Sequence, residues 1–398
     1  MARCALPLNV TVTEGRQQGR SVQIGVGGGR RIVDHDVHGL VGIRMVDPPG
    51  EVVGSVVREL GPSAADCLER DPDITVTFVD SLPFAARPRQ LDGGAAAYDD
   101  EYFYIADKPH NYVRIDFVTL GEQSTMMAPR TAGVIPLLVP VVALHLLRRG
   151  HVLLHSAAFQ YRGSTTLVAA WKKGGKTEIL LPFLANGAEY LSDEWTIVSA
   201  DGTVHGLSAD LHVWSWHAEQ FPEVWARIPA TARRRFRLLR RYQQIVSDTP
   251  PLLSGGGFLA RQLRQLGRVG GAASVGQVRM APEQMFDGKV WRDKAAIARI
   301  LLAGVTPGHV QVHAVDSQLV AARMVASLAF ERDGLITAYN QFRFAFPDQQ
   351  NELIESARDR ELDILSRAFC GLPAYEVVHP YPLDLRDLFE ALQPICCG

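Results

Sequence analysis

Lysine is scarce in this chain. Of 41 basic residues only six are lysine (Lys108, Lys172, Lys173, Lys176, Lys289 and Lys294), so arginine supplies the other 35, and half of the lysines fall between positions 172 and 176. Cysteine is also sparse. Cys4, Cys67, Cys370 and the adjacent Cys396 and Cys397 have neither zinc-ligand nor disulfide-framework spacing, which predicts a reducing, cytoplasmic setting. No apolar run reaches the roughly 20 residues needed to cross a bilayer. The most apolar stretch, GVIPLLVPVVALHLL at 133–147, contains Pro136, Pro140 and His145 and is expected to be a buried helix. The opening MARCALPLNVTVTEG turns polar before a signal-type core develops, so neither secretion nor a membrane partner is expected. A net charge of −2 lacks the basic excess of a dedicated nucleic-acid binder.

What is present is the balance of an ordinary globular protein, with 47% hydrophobic and 21% charged residues over 398 positions, long enough for two or three cores. The first 128 residues read as a strand-rich α+β domain. SVQIGV, LVGIRMV, ITVTFV, YFYIA and YVRIDFV carry β-branched and aromatic residues, and DPPG, DGG and KPHN separate them as turns. A helix is expected from Val52 to about Arg70, interrupted near Gly61 and Pro62. From 129 to 398 a second domain is expected. It holds a core at 150–215, a basic helical insert at about 217–295 and an α/β segment at 296–398. The core reads as strand (HVLLHSAAFQ), turn, strand (TTLVAAW), glycine loop, helix (KTEILLPFLANG) and strand (EYLSDEWTIVS), a βαβ-like order.

The lysine cluster lies in that glycine loop. Ala170 to Thr177, AWKKGGKT, fits the phosphate-loop pattern G-x-x-x-x-G-K-[ST] at every defined position but the first. Gly174 and Gly175 let the backbone curl so that successive N–H groups form an anion nest at a helix N-terminus. Lys176 would reach the terminal phosphates, and the Thr177 hydroxyl would ligate magnesium. An isolated GK[ST] is usually a solvated turn, but here an apolar strand precedes it and a helical pattern follows. Asp193 and Glu194 then stand 17 and 18 positions past Lys176, and His155 stands 21 before it. Adjacent carboxylates at a strand end suit a magnesium contact and a base for an incoming hydroxyl. Spacing alone leaves open which of the two is which.

The stretch LLHSAAFQYRGSTTLVAAWKKGGKTEILLPFLANGAEYLSDEWTIV resembles the catalytic core of HPr serine kinase/phosphorylase and the wider HprK-like kinases, nearer the members found beside peptide-modifying enzymes in bacterial biosynthetic clusters. LPAYEVVHPYPLDLRDLFEAL is similar to the closing strand and helix of that biosynthetic group. The resemblance implies an α/β (α+β overall) fold with an HprK/carboxykinase-like phosphate-loop core on a mixed sheet. It implies that Trp171, Lys172, Lys173, Gly174, Gly175, Lys176, Thr177 and Glu178 hold ATP or another nucleoside triphosphate, with Thr177, Glu178 and Asp193 around Mg2+. Glu194 would be the base, and His155 would orient it. Three positions depart from the family pattern: Ala170 replaces the first loop glycine, Glu194 replaces a second aspartate, and Pro182 falls within the following helix, where it predicts a kink.

The expected activity is transfer of a γ-phosphoryl group to a hydroxyl of a peptide or protein serine, or of a small metabolite. Acceptor recognition is assigned to the N-terminal domain by division of labour, and a homo-oligomeric state is left open. A nucleotide-binding scaffold or sensor without turnover is the alternative of a different class. Arg233, Arg234, Arg235, Arg237, Arg240 and Arg241 form a basic run read mainly as a solvated helix face, with phosphate contact as the other reading. VGGGRR at 26–31 reads as a hairpin, and His212 and His217 read as packing residues.

Overall fold

The computed structural model describes residues 25–27, 30–108, 111–238, 276–285, 290, 294–381 and 383–397. Arg240, Arg241 and the glycine-rich stretches at 254–257 and 270–271 lie outside these residues.

The chain is mixed α/β and builds two large sheets, each with parallel and antiparallel pairs. The first contains β1 (Gly25–Gly27), β2 (Arg30–Val37), β3 (Val41–Val46), β4 (Ile74–Val79), β5 (Arg89–Leu91), β6 (Ala96–Tyr98), β7 (Phe103–Lys108), β8 (Asn111–Ile115) and β9 (Ser124–Pro129), in the order β1-β2-β3-β4-β9-β8-β7-β6-β5. Glycine-flanked β1 and β2 pair as the expected antiparallel strands. In ITVTFV, Ile74, Val76 and Phe78 are buried while the alternate residues are half-exposed, which is the period-2 pattern of a strand covered on one face. Helix α1 (Gly50–Leu60) crosses from β3 to its parallel neighbour β4 with Val52, Val53, Val56 and Leu60 inward. It does not resume before Arg70 as the sequence suggested. Gly61 takes φ +80 and Pro62 follows, so the backbone turns out of the helix for good.

The second sheet contains β10 (His151–Leu154), β11 (Ser156–Tyr161), β12 (Ser164–Ala170), β13 (Glu189–Ser192), β14 (Thr196–Ser199), β15 (Thr203–Gly206), β18 (Ala295–Val305), β19 (Gln311–Ala314) and β20 (Ala374–His379); β16 (Leu211–Trp214) and β17 (Gln277–Met280) form a separate hairpin ladder. Strand β18 is the branch point. One edge pairs in parallel with β12 along Ile297–Ala303, while the other pairs with β15 at Ala295–Ala296 and then with parallel β20 from Ile300 onward. The two long strands expected at 151–160 and 189–199 are each broken, at His155 and at Asp193–Trp195, because each half takes a different partner. Helix α3 (Lys176–Ala185) connects β12 to β13, with β11 between those strands.

Helix α2 (Leu138–Arg148) is the buried apolar helix foreseen at 133–147, although it begins only after Pro136 and the left-handed Leu137. Short helices α4 (Ser215–Gln220) and α5 (Pro222–Arg227) are followed by helical residues 230–238. The C-terminal part adds α6 (Ser317–Glu331), α7 (Asp333–Ala345), α8 (Glu352–Glu355), α9 (Ala357–Ala368) and α10 (Leu385–Cys396). None of the described helices is long and apolar enough to cross a membrane.

One continuous apolar cluster runs from Val33 and Phe78 in the first sheet through Val141 in α2 to Met324 and Phe342 in the C-terminal helices. Asn351, 5% exposed, fastens the two parts by donating to the carbonyls of Phe117 (2.8 Å) and Leu120 (2.9 Å). Phe342 stacks on Phe117 at 5.2 Å.

Burial holds the imidazoles of His35 in β2 and His145 in α2 down to about 4, well below the ordinary 6.5. Between those values the unfolded chain binds the protons that the folded chain refuses, so stability is whole above pH 6.5 and falls as pH drops toward 4. Each group contributes on the order of 3 kcal/mol at most to that loss. Urea unfolding at pH 7.0 and 4.5 should show the drop, and His145→Asn should make it shallower; an unchanged slope in the variant would count against a buried neutral His145.

Candidate functional site

The strand registers bring the predicted residues to one end of the second sheet. Strands β12, β18 and β20 are parallel and finish level, with Ala170 beside Ala303 and His379 beside Val305. Strand β11 is antiparallel to β12 and starts at that end, so the break before it sets His155 there. Strand β13 pairs antiparallel to β11 and finishes there, so the break after it delivers Asp193 and Glu194. The carboxyl ends of parallel strands in an open α/β sheet are where such folds place ligands.

Lys176, 8% exposed, is the cation of this cluster, and its Nζ donates to His155 Nε2 at 2.8 Å. Glu194 Oε2 lies 3.0 Å from the same nitrogen. Thr177 shares its hydroxyl proton between both Asp193 oxygens, each at 3.0 Å. The two carboxylates left equivalent by spacing are therefore sorted by geometry: Asp193 faces the threonine, and Glu194 faces the histidine and lysine. Exposure sorts them too, with Asp193 at 2% and the Glu194 side chain at 38%.

Burial raises the Asp193 carboxyl to about 7, and the adjacent Glu194 charge adds to the rise against the pull of Lys176 and the Thr177 hydrogen bond. For Glu194 burial again pushes upward, but the His155 hydrogen bond and the Lys176 charge together outweigh it and leave the carboxyl below its ordinary value. Burial lowers the Lys176 ammonium, opposed by Glu194, Asp193, Glu331 and Glu178. With one ammonium facing that many carboxylates, the site carries excess negative charge and suits an added cation. No group of three or more His, Cys, Asp or Glu side chains among the described residues has metal-ligand spacing. A magnesium ion carried in on nucleotide phosphates draws most of its ligands from phosphate and water, and a threonine–aspartate pair meets that lesser demand.

The turn between β12 and α3 has the conformation its glycines predict. Gly175 adopts φ +98, and the Gly174 N–H closes a turn onto the Trp171 carbonyl at 2.8 Å. Lys173 also takes a positive φ, +63. Ala170 does not, because it is the last residue of β12, so the position needs no glycine on account of φ. Helix α3 runs through Pro182 without interruption, and the Asn186 side chain donates to the Pro182 carbonyl at 2.8 Å.

Other predicted residues are placed apart from the cluster. Glu178 pairs with buried His217 at 3.2 Å rather than with Thr177 or Asp193. That contact explains His217 as more than packing. Trp171 and Lys172 are exposed and lie against Phe330, at 5.2 Å between rings and 5.7 Å from Nζ to the ring; Lys173 is exposed at the tip of the turn. Of the basic run, Arg234 and Arg237 are exposed, while Arg235 donates to the Gln277 carbonyl.

Two residues at this end were not foreseen. Glu331, the last residue of α6, sits 3.0 Å from His155 Nδ1. His379, fully buried at the end of β20, packs its ring directly over Gly175. The segment YEVVHPY marked the strand that carries His379, but nothing in the sequence marked the ring's position.

A Cβ added at Gly175 would lie 2.1 Å from His379 Nε2, whereas one added at Gly187 (φ +86) would meet nothing within 4 Å. Gly175→Ala should therefore cost about 2–4 kcal/mol, backbone strain plus overpacking, against about 1 kcal/mol for Gly187→Ala. Equal losses in urea unfolding would show that His379 does not press on the turn. No family model and no curated protein matches this chain.

Proposed function

We propose that this protein is a nucleoside-triphosphate-dependent phosphotransferase of the cytoplasm, built on a phosphate-loop core, that moves a γ-phosphoryl group to a hydroxyl. The observation that carries this is the meeting of a strand–glycine turn–helix with an acidic pair at one sheet end, Thr177 bonded to Asp193 and Lys176 beside Glu194. Phosphoryl transfer asks little covalent chemistry of a protein and much positioning of charge, and these groups are of the kinds it uses.

The backbone N–H groups of 171–177 other than that of Gly174, together with the N-terminus of α3, would receive the phosphates, and Lys176 would leave His155 to meet them. Thr177 and Asp193 are the residues that would hold a divalent cation, which when bound neutralises charge on the phosphoryl oxygens. Glu194 is the more open carboxylate and is held ionised, so it is suited to take the proton of an incoming hydroxyl. A serine of a peptide or a small hydroxylated metabolite fits this chemistry, and the first sheet is the surface we assign to its recognition.

Nucleotide titration with magnesium should show that Lys176→Ala weakens ATP binding by about tenfold or more, in line with loss of a charge-assisted phosphate contact. Glu194→Gln should keep binding and lose transfer by about 10²–10⁴-fold. Unchanged ATP affinity in Lys176→Ala would refute the phosphate-loop assignment. Tight binding by the wild type with no turnover for any acceptor would instead make this a nucleotide-binding module.

A further inference from the structure

His155 has contradictory neighbours on one nitrogen. Lys176 and Glu194 both meet Nε2, at 2.8 and 3.0 Å, yet an ammonium can only donate and an ionised carboxylate can only accept. Which contact is satisfied depends on where the ring carries its protons, and the answer lies on the ring's other side. Nδ1 is buried, and Glu331 Oε1, also buried, lies 3.0 Å from it. Neither atom has a hydrogen-bond partner among the described residues, so the two face each other within ion-pair reach without a formed hydrogen bond. The Glu331 side chain is 15% exposed, so its carboxylate is withdrawn from water to face this imidazole.

From this juxtaposition we propose that Glu331 is a positioning residue: it keeps a proton on His155 Nδ1, so that Nε2 is the nitrogen whose proton comes and goes beside Glu194. This rests on the phosphotransfer reading for its purpose, though not for its geometry. With Nδ1–H on the Glu331 side, a neutral ring presents a bare Nε2 that accepts from Lys176, and Glu194 is then held by the ammonium's charge rather than by a hydrogen bond from the ring. A doubly protonated ring donates to Glu331 and Glu194 together. Both states keep the Nδ1 proton, and the second nitrogen exchanges one neighbour for the other.

When Lys176 swings to phosphate, Nε2 loses its donor and is free for the proton that Glu194 takes from the acceptor hydroxyl. That proton passes from the hydroxyl oxygen to the Glu194 carboxylate and on to Nε2. The new O–P bond forms as the bond from γ-phosphorus to the bridging oxygen breaks, and the electron pair leaves with the nucleoside diphosphate. A carboxylate behind the histidine fixes which ring nitrogen bears the hydrogen, as an orienting acid does in other acid–base pairs. The placement also has a structural economy, because Phe330 of the same helix end touches Trp171 and Lys172 of the turn. Helix α6 thus grips the turn and the histidine by adjacent residues.

The test is imidazole nitrogen-15 NMR on the full chain, wild type and Glu331→Gln, paired with steady-state kinetics. The His155 resonance is assigned by its loss in His155→Asn. In the wild type near neutral pH we expect His155 as the Nδ1–H tautomer; in Glu331→Gln the population should move by at least threefold toward Nε2–H, donated to Glu194. We expect kcat to fall about 10- to 100-fold while KM for ATP stays within twofold, and Glu331→Asp to recover part of kcat. Should Glu331→Gln melt more than about 10 °C below wild type, the wild-type tautomer decides by itself, Nδ1–H supporting the proposal. A wild-type ring dominated by Nε2–H, or a tautomer ratio that the variant leaves unchanged, overturns the proposal. Failure to find any phosphotransfer would refute the function and leave the spectra to decide the role of Glu331 by themselves.

Discussion

A lysine ammonium buried to 8% exposure is the constraint around which this molecule is arranged. Charge withdrawn from water is costly unless it is paired and hydrogen-bonded, and a lone buried ammonium would give up its proton instead. Lys176 avoids that because three separate chain segments bring compensation to it: His155 from the gap between β10 and β11, Asp193 and Glu194 from the gap after β13, and Glu331 from the end of α6. The sheet breaks follow from this requirement. A continuous strand through His155 or Asp193 would alternate those side chains to opposite faces, and only a change of strand partner lets neighbouring residues turn toward one point.

Much of that arrangement was legible because it is local. The strand–turn–helix of 164–185 combines an apolar run, paired glycines and a helical repeat, and each of these is a short-range signal. His155 and the acidic pair were legible by spacing, since one short strand on each side of β12 and α3 leaves few places for them to go. The failures are long-range. Strand β18, AAIARILLAGV, is buried on both faces, so its sequence has no alternation and is rich in alanine and leucine; nothing in it announces the strand that links all the others. Glu331 is 155 positions beyond Lys176 at the end of an amphipathic helix, where a glutamate ordinarily means solvent. The pairing of Glu178 with His217 was hidden for the same reason, because it depends on how α4 packs beside α3.

The first sheet is bound into the same body rather than tethered beside it. Its core residues belong to the cluster that lines α2 and the C-terminal helices, and Asn351 satisfies the Phe117 and Leu120 carbonyls of the loop between β8 and β9 from across the interface. Buried amide hydrogen bonds of this kind add modestly to stability but are expensive to leave unmade, so they fix register more than they add strength. Helix α7, whose Phe342 stacks on the first sheet, follows α6 directly, and α6 ends in Phe330 and Glu331 at the glycine turn. Two consecutive helices thus join the first-sheet part of the molecule to the glycine turn.

The acidic pair shows how environment separates two neighbours of nearly identical chemistry. Asp193 is buried, is held by a hydroxyl, and is raised to about 7 by burial and by Glu194. Glu194 is more open and is held down by an imidazole and an ammonium. A carboxylate whose ionisation its surroundings disfavour is one that a cation would stabilise strongly. A carboxylate already ionised and open to solvent is one that an incoming hydroxyl can reach. The longer glutamate side chain at 194 belongs to this division, because the extra methylene lets its carboxylate reach His155 while its aspartate neighbour stays on Thr177. Under the phosphotransfer proposal the longer side chain at 194 is then what brings Glu194 to His155 Nε2, on the side of the ring opposite Glu331.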